Sequence, residues 1–458
     1  MDRLIEKLFE KGRIRGFEDQ EIYHESAKSL RISVYQGEVE KFNMSEQGGL
    51  SYRGITGGKM GYAYTEILDE NALDMLVDEA YSNAAVIESQ DRVFLHDGSG
   101  TYKDLSEDEG MDRFGADAEE DAEGQGTTED KISFMLELEK KLMESDKRIV
   151  RISGNAYSES VYTKHIRNTK GLNLSETRSL AYAYAVAVAQ EGEDTRTGTG
   201  AHMAESFAGL DMDEIVNSAS GEALSMLGAK PVPSSEYPVV FENEAFSDFF
   251  SQFSNHFSAE QVQKKLSALS GKLGSLIASD QVNITDDPHI RLGLRTTAFD
   301  AEGVATYKKP IIENGILMTY LHNLKTAHID GTQTTGNASK SSFRSPGEIE
   351  PSNLCFMPGK ISLKSMLEDI KRGVMVTGLQ GLHSGINQVS GDFSLQCHGF
   401  LIEDGTIAEP VSQITVSGNF FELLKEIDCV ADDFIMSPLS GGAGAPSVRV
   451  SGLSISGS

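Results

Sequence analysis

The sequence predicts an α+β protein, with an N-terminal half of helices packed on antiparallel strands and a C-terminal half that is mostly β with few helices. Three observations predict this class. Apolar residues recur at helical spacing in a few segments, they alternate with polar residues between those segments, and glycine-rich turns in the second half recur too often for a helical bundle. At 458 residues the chain exceeds one ordinary hydrophobic core, so we expect several domains.

Residues 1–100 are predicted to form a first α/β unit. Residues 2–16 place apolar side chains at helical spacing, residues 21–66 alternate apolar and polar side chains between glycine turns, and residues 71–89 return to the helical period. The unit is therefore expected to consist of a helix, a meander of antiparallel strands and a second helix.

Residues 101–130 are predicted to be an acidic linker or loop, because they hold 12 acidic and 2 basic side chains and blocks of like charge stay solvated. Residues 131–230 repeat the order of helix and strands and form a second α/β unit that completes the N-terminal half. Pro231 and Pro233 then mark a boundary, since proline bars helix continuation. Residues 231–458 are predicted to form a mostly β C-terminal domain, with helices over 244–257 and 362–371.

Charge and cysteine content restrict the partners and the compartment. A formal net charge of -29 argues against direct nucleic-acid binding, which needs clustered Lys and Arg against phosphates. The three cysteines have neither CxxC spacing nor an even count, which favours a reducing compartment. We find no apolar stretch of signal-peptide or membrane-span length and expect a soluble, cytoplasmic protein without a membrane partner.

The histidines and cysteines form no self-sufficient catalytic motif. HExxH and HExxxH are both absent, and His322 and His328 would lie on different faces of a helix, so we expect structural or groove-lining roles for them. Cys397 and His398 are adjacent on a predicted strand, where neighbouring side chains point to opposite faces. A cysteine–histidine nucleophile pair is therefore not expected there.

Two acidic pairs allow more than one interpretation. Asp286 and Asp287 precede a proline, and Asp300 and Glu302 stand two residues apart in AFDAEGV. Two carboxylates on one face of a strand can bind a cation or act as acid and base. Asp before proline or glycine more often forms a turn through hydrogen bonds to backbone amides.

Seven segments in this order resemble the TldD/PmbA family, whose members are also called modulators of DNA gyrase. These segments are LSGKLGSLIASDQVNITDDP (269–288), AFDAEGV (298–304), IIENGILMTYLHNLKTA (311–327), TTGNAS (334–339), EPSNLCFMPGK (350–360), NQVSGDFSLQCHGFLIEDG (387–405) and GAPSVRV (444–450). The resemblance implies a two-subunit cytosolic zinc protease that acts on extended or unfolded peptides. A TldD-type subunit carries the zinc on an HExxxH helix and a C-terminal cysteine, and a PmbA (TldE)-type subunit accompanies it.

This chain looks like the PmbA type. Its corresponding helix segment, FENEAFSDFFSQFSNHF, has only one histidine, His256, and the stretch before GAPSVRV has no cysteine. The resemblance thus implies that this chain provides no catalytic residue and no metal ligand, and that zinc is bound by a TldD-type partner.

The resemblance also points to polar residues in the matched segments as candidates for a substrate groove or a subunit interface. These are Asp300, Glu302, His322, Asn337 and Asp392. The expected partners are an extended peptide and either a TldD-type subunit in a heterodimer or a second copy in a homodimer. The alternative function is a homodimeric, non-proteolytic protein of the gyrase-modulator type that binds peptides or another protein.

Overall fold

The computed structural model describes residues 1–88, 91–105, 126–437 and 440–458. Its α-helices, α1 to α9 in chain order, are Asp2–Arg15, Glu70–Val86, Thr128–Glu144, Met212–Ser225, Asn243–Ser251, Ala259–Gln263, Leu324–Asp330, Leu363–Leu367 and Phe420–Glu426. Its strands, β1 to β20, are Asp19–Tyr35, Glu38–Thr56, Lys59–Thr65, Ile149–Asn168, Asn173–Glu191, Asp194–Ala204, Ser235–Phe241, Ile284–Asp286, Lys309–Glu313, Ile316–Leu317, Ala338–Ser339, Glu348–Ile349, Leu354–Phe356, Arg372–Gln380, Asp392–Glu403, Thr406–Asn419, Ile427–Val430, Ile435–Met436, Ala443–Ala445 and Val448–Ser456. This confirms the predicted α+β class.

The N-terminal half contains one six-stranded antiparallel sheet with the order β3-β2-β1-β4-β5-β6. Its two units have the same element order: α1-β1-β2-β3-α2 and α3-β4-β5-β6-α4. Strands β1 and β4 join the units through a continuous antiparallel ladder from Glu21↔Asn168 to Ile32↔Tyr157. The two predicted α/β units therefore share a single sheet, with the junction at its centre.

The four N-terminal helices cover one face of this sheet. Ile22 of β1 packs with α1 and α2, and Ile32 of the same strand packs with α3 and α4. Their even spacing puts both side chains on the same face, because side chains alternate along a strand. Strand β5 presents a row of buried alanines to α3 and α4: Ala181, Ala183, Ala185, Ala187 and Ala189. These small side chains let the helices lie close to the strand.

The C-terminal half is built on a sheet with the order β16-β15-β14-β7-β20-β17, in which β16 also pairs with β20 and closes a barrel of five strands. Helix α5 follows β7 directly and contributes Phe246, Phe249 and Phe250, all fully buried, to the core. A second six-stranded sheet, β10-β9-β8-β13-β19-β18, packs beside it. The long phenylalanine cluster thus fixes α5 against the barrel.

Three predicted boundaries differ from the structure. Helix α3 begins at Thr128, inside the predicted acidic linker, because Thr127 and Asp130 form a capping box; residues 106–125 of that linker lie outside the described residues. Helix α5 ends at Ser251, short of residue 257, and a 3-10 turn follows it at Ser254–Phe257. Helix α8 ends at Leu367, short of residue 371, and β14 begins at Arg372. Within the described ranges, no helix is long and apolar enough to cross a membrane.

We predict that Gly200→Ala destabilises the N-terminal sheet. A Cβ on Gly200 in β6 would lie 2.0 Å from the carbonyl oxygen of Ile215 in α4, and a helix backbone cannot yield locally. We expect the free energy of unfolding to fall by about 1–3 kcal/mol, measured by urea denaturation. Gly154→Ala is the matched control, since this strand glycine has open space around its Cβ position. Equal effects of the two substitutions would contradict the proposed close packing of α4 on β6.

Candidate functional site

A cavity of about 400 Å³ lies between the N-terminal sheet and the C-terminal loops. Strands β1, β4 and β5 form one wall, and residues 294–301, 336–341 and 350–352 form the other. The first wall is the face of the sheet opposite to the helices, because Tyr23 alternates with Ile22 along β1. Two of the predicted site residues, Asp300 and Asn337, lie on its wall, and we take this cavity as the candidate site.

Charged side chains of the sheet tie it to the C-terminal loops beside the cavity. The Lys164 ammonium donates to the Phe299 carbonyl (2.9 Å) and lies 3.2 Å from the Glu176 carboxylate. The Arg178 guanidinium donates to the carbonyls of Gly293 (2.8 Å) and Leu294 (3.2 Å). Alternation along β4 and β5 places these three side chains on the same face of the sheet. The positions of the two cavity walls therefore depend on each other.

Asp300 organises the loop that forms part of the second wall. It is 4% exposed, and its carboxylate accepts hydrogen bonds from the backbone N–H groups of Glu302 (2.9 Å), Val304 (2.9 Å) and Ala338 (3.0 Å). Burial raises the pKa of Asp300, and these backbone donors oppose the rise. Of the two interpretations of the Asp300–Glu302 pair, the geometry supports the turn-forming role for Asp300.

Glu302 lies in the same turn and accepts a hydrogen bond from the backbone N–H of Leu324 (2.8 Å), at the start of α7. Burial, and then the negative charge of Asp300, raises the pKa of Glu302 to about 7. Arg53 of β2 opposes this rise, and its own guanidinium is paired with Glu21 at 2.5 Å. The pKa of Glu302 thus lies close to neutral pH.

Asn337 completes a buried polar cluster at the end of the cavity. Its side-chain amide donates to Asp286 (2.7 Å), and its oxygen accepts from Lys309 (3.1 Å). Lys309 and Asp286 form an ion pair at 2.8 Å, with side chains 3% and 0% exposed, and Asp286 also accepts from the Ser352 N–H (2.7 Å). Asp286 therefore anchors β8, β9 and both neighbouring loops.

His322 supports the cavity loops through its backbone. Its carbonyl accepts the N–H groups of Thr335 and Asn337, and its N–H donates to the Thr335 hydroxyl (2.6 Å). Burial of the ring lowers the pKa of His322. His322 precedes α7, whereas His328 lies in the last turn of α7 with its ring 4.8 Å from that of Phe94. The two histidines do not face each other along one helix.

Asp392 lies apart from the other four predicted residues. It is exposed at the start of β15 and accepts hydrogen bonds from Ser390 (2.7 Å) and Asn419 (2.8 Å), which lower its pKa. It is not among the residues around the cavity. The structure thus brings Asp300 and Asn337 to the cavity wall, places Glu302 and His322 behind the same loops, and puts Asp392 elsewhere.

Lys340 is a cavity residue that sequence reasoning missed. Its ammonium lies 4.7 Å from the ring centre of Tyr23 and 5.0 Å from that of Tyr62, and donates to Ser51 (3.2 Å). Burial, and then the charge of Arg53, lowers the pKa of Lys340 to about 7. Its neighbours are about 290 residues away in sequence, so no local pattern indicates them. Sequence reasoning also missed Lys164, Glu176 and Arg178, which bond to loop residues 115 to 135 positions away.

The residues of α5 do not fit a catalytic zinc. Two windows near the start of α5 place a glutamate at the second position of HExxxH. In the first, the glutamate is Glu242, and the histidine positions hold Phe241 and Phe246, which are both in the core. In the second, the glutamate is Glu244, and the histidine positions hold Asn243 and Asp248. The second window, which sequence reasoning missed, retains the glutamate and has Asn and Asp at the histidine positions.

The side chains of that window either bond to other groups or are disfavoured as zinc ligands. Asn243 donates to the Asp433 carbonyl (2.8 Å), and Asp248 accepts from the Ser437 hydroxyl (3.2 Å). Burial raises the pKa of both Glu244 and Asp248, which disfavours their ionised forms. Zinc sites in enzymes use three protein ligands, mostly His and Cys.

His256 and the cysteines supply no replacement. His256 lies in a short 3-10 turn, Ser254–Phe257, beyond the end of α5, and its ring nitrogens bond to the Gln388 carbonyl (2.5 Å) and the Ala268 N–H (3.2 Å). Burial raises the pKa of Cys355 and of Cys397 to about 12, so both thiols stay protonated. Across the described parts of the chain, no group of three His, Cys, Asp or Glu side chains could hold a metal ion.

Sequence models of three PmbA/TldA metallopeptidase domains match this chain in order. Domain 1 matches residues 21–84, the central domain 124–227 and the C-terminal domain 234–457. The chain belongs to the PmbA/TldD family. It is 32% identical to a Thermotoga maritima protein described as a proposed modulator of a DNA gyrase, with a TM-score of 0.89 over 99% of this chain and 100% of that one.

Two further PmbA/TldD relatives support the PmbA/TldE-type assignment. TldE from Thermococcus kodakarensis is 25% identical, with a TM-score of 0.87 over 99% of this chain and 100% of TldE. The metalloprotease PmbA homolog of Haemophilus influenzae is 28% identical over 412 residues, which cover 88% of this chain and 85% of that protein. The chain is thus a PmbA/TldE-type member of a metallopeptidase family.

We predict that Lys309→Met destabilises the protein by about 3–5 kcal/mol, because it leaves the Asp286 carboxylate buried without its cation. The measurement is urea denaturation at neutral pH. Lys308→Met is the matched control: Lys308 pairs with Asp287 at 2.9 Å, but its side chain is 56% exposed, so a loss below about 1 kcal/mol is expected. Comparable losses for the two variants would refute the special role of the buried pair.

We also predict a pH dependence caused by Glu302. The folded-state pKa of about 7 exceeds the ordinary value of 4.5, so the folded state binds more protons between these pH values and stability decreases as pH rises through them. Glu302→Gln removes this titration but keeps an acceptor for the Leu324 N–H. We expect its free energy of unfolding to decrease less than that of the wild type between pH 5 and 7. Identical slopes in both proteins would disprove the assignment.

Proposed function

We propose that this chain is the PmbA/TldE-type partner subunit of a two-subunit, zinc-dependent metalloprotease that acts on extended or unfolded peptides. The main support is α5, where HExxxH spacing falls on Asn243, Glu244 and Asp248 instead of a histidine pair. In this proposal the chain binds no zinc, and a TldD-type partner supplies the metal that activates water.

The proposed contribution of this chain is to bind peptide and to complete the assembly. The cavity is lined by charged side chains of the sheet and by polar and apolar residues of three C-terminal loops. Such mixed walls suit an extended peptide, whose main chain offers both donors and acceptors. Cys355 and Cys397 are buried free thiols, which agrees with the proposed cytoplasmic location.

A second candidate function is a homodimeric, non-proteolytic protein that binds peptides or another protein. It is favoured by the description of the Thermotoga maritima relative as a proposed gyrase modulator. The net charge of -29 disfavours contact with DNA, so gyrase modulation would require contact with the gyrase protein. Pull-down of gyrase by this chain in nuclease-treated extract, without proteolysis, is the result that would favour this alternative.

The experiment for the main proposal is reconstitution with a TldD-type subunit that carries HExxxH. We expect the two purified chains to form a complex that cleaves an unstructured, fluorescence-quenched peptide. Each chain alone should cleave it at least about tenfold more slowly. A chelator should abolish cleavage, and zinc should restore it. Metal analysis should find zinc in the complex and in the TldD-type chain only.

The control complex contains a TldD-type chain with the glutamate of HExxxH replaced by glutamine. It should assemble but not cleave, which separates binding from catalysis. Failure of the two wild-type chains to associate would reject the proposal. So would stoichiometric zinc that this chain alone retains after chelation.

A further inference from the structure

The outer half of β2, residues Glu38–Glu46, forms a sheet edge that no other part of the described chain pairs with. On its inner side it pairs with β1, but β3 pairs only with Leu50–Thr56, at the other end of β2. No other described strand adds to this edge. All of its residues are exposed except Ser45, which is half-buried. An edge of nine residues spans about 30 Å, enough to pair with a whole strand.

The internal repeat shows what is missing at this edge. The second strand of the other unit, β5, is also covered by its third strand at one end only, since β6 pairs with Ala181–Glu191. Its remaining half packs against the C-terminal loops, where Arg178 donates to the Gly293 carbonyl and Glu176 accepts from the Thr297 hydroxyl. The equivalent half of β2 has no such cover among the described residues.

The edge carries large apolar side chains on the helix-bearing face. Val39, Phe42 and Met44 are 41%, 46% and 69% exposed. Their cross-strand neighbours on β1 are Val34, Ile32 and Leu30, all of which are buried beneath the helices. The apolar surface of the sheet thus continues past the edge of the helix layer. An edge strand that only had to avoid pairing with other chains would carry charged side chains and not exposed apolar ones. The apolar side chains therefore indicate a contact surface.

The charge of the edge argues for a different polypeptide as the occupant. Glu38, Glu40 and Glu46 surround a single cation, Lys41. A second copy would bring the same carboxylates to a chain whose net charge is already -29, and like charges across paired strands are unfavourable. Residues 106–125 of the same chain hold nine acidic side chains and one basic one, so they are disfavoured for the same reason.

We infer that Glu38–Glu46 is the docking edge for the TldD-type subunit, which adds a strand with apolar side chains against Phe42 and Met44 and basic ones against the glutamates. This inference rests on the proposed function, because it assumes that such a subunit associates with the chain. Main-chain hydrogen bonds would provide affinity, and the acidic side chains would select the partner.

The experiment measures the dissociation constant between this full-length chain and a purified TldD-type subunit by titration calorimetry. We expect the double variant Phe42→Asp/Met44→Asp to bind at least about tenfold more weakly than the wild type, since it removes the apolar contacts and adds negative charge. Glu38→Lys/Glu46→Lys should also weaken binding and should reduce its salt dependence. Ile14→Asp/Val389→Asp, with side chains 77% and 60% exposed outside this edge, is the matched control and should bind within about twofold.

The outcomes of this titration separate the docking edge from the proposed function. If this chain and the TldD-type subunit do not bind each other when both are wild type, the docking edge and the proposed function are both rejected. Wild-type binding that the edge variants leave within about twofold would reject the docking edge alone. A homodimer that the edge variants convert to a monomer in sedimentation experiments would overturn the choice of occupant. Circular dichroism and thermal unfolding of each variant identify any loss of binding that results from misfolding.

Discussion

The buried ion pair between Lys309 and Asp286 is the interaction on which the candidate site depends. Its carboxylate also receives the Asn337 amide and the Ser352 N–H, so one group fixes two strands and two loops. A buried charge keeps its position because any movement would leave it without a partner in a medium of low polarity. The loops held in this way form one wall of the cavity, and the charged side chains of β4 and β5 attach the other wall to them.

Most of the fold could be predicted from local sequence patterns. Alternation along β5, for example, reflects an alanine face beneath the helices, and this signal lies within 19 residues. The ends of α5 and α8 were harder to predict, because they depend on tertiary packing beyond the last helical turn. Apolar residues after Ser251 continue to pack in the core without continuing the helix.

The candidate site was only partly predictable, for a different reason. Asp300 and Asn337 lie in segments that resemble a family, and the structure places both at the cavity. Lys340 and Arg178 bond to residues 289 and 115 positions away in the sequence, and no periodicity reports such contacts. Asp392 lies in an equally specific segment but elsewhere in the fold. Similarity to a family thus selects segments, while their position relative to one another requires the structure.

The central ladder between β1 and β4 resembles an interface between two copies of one unit, yet it lies within a single polypeptide. In a symmetric dimer, every substitution appears twice, so both copies must tolerate it. Once two units are encoded in tandem, each can change alone. Here one flank is covered by the C-terminal loops, whereas its counterpart, as far as the described residues go, is an open, acidic edge. Because of this asymmetry, the two flanks of the sheet differ, and the molecule can take up one defined orientation in a larger assembly.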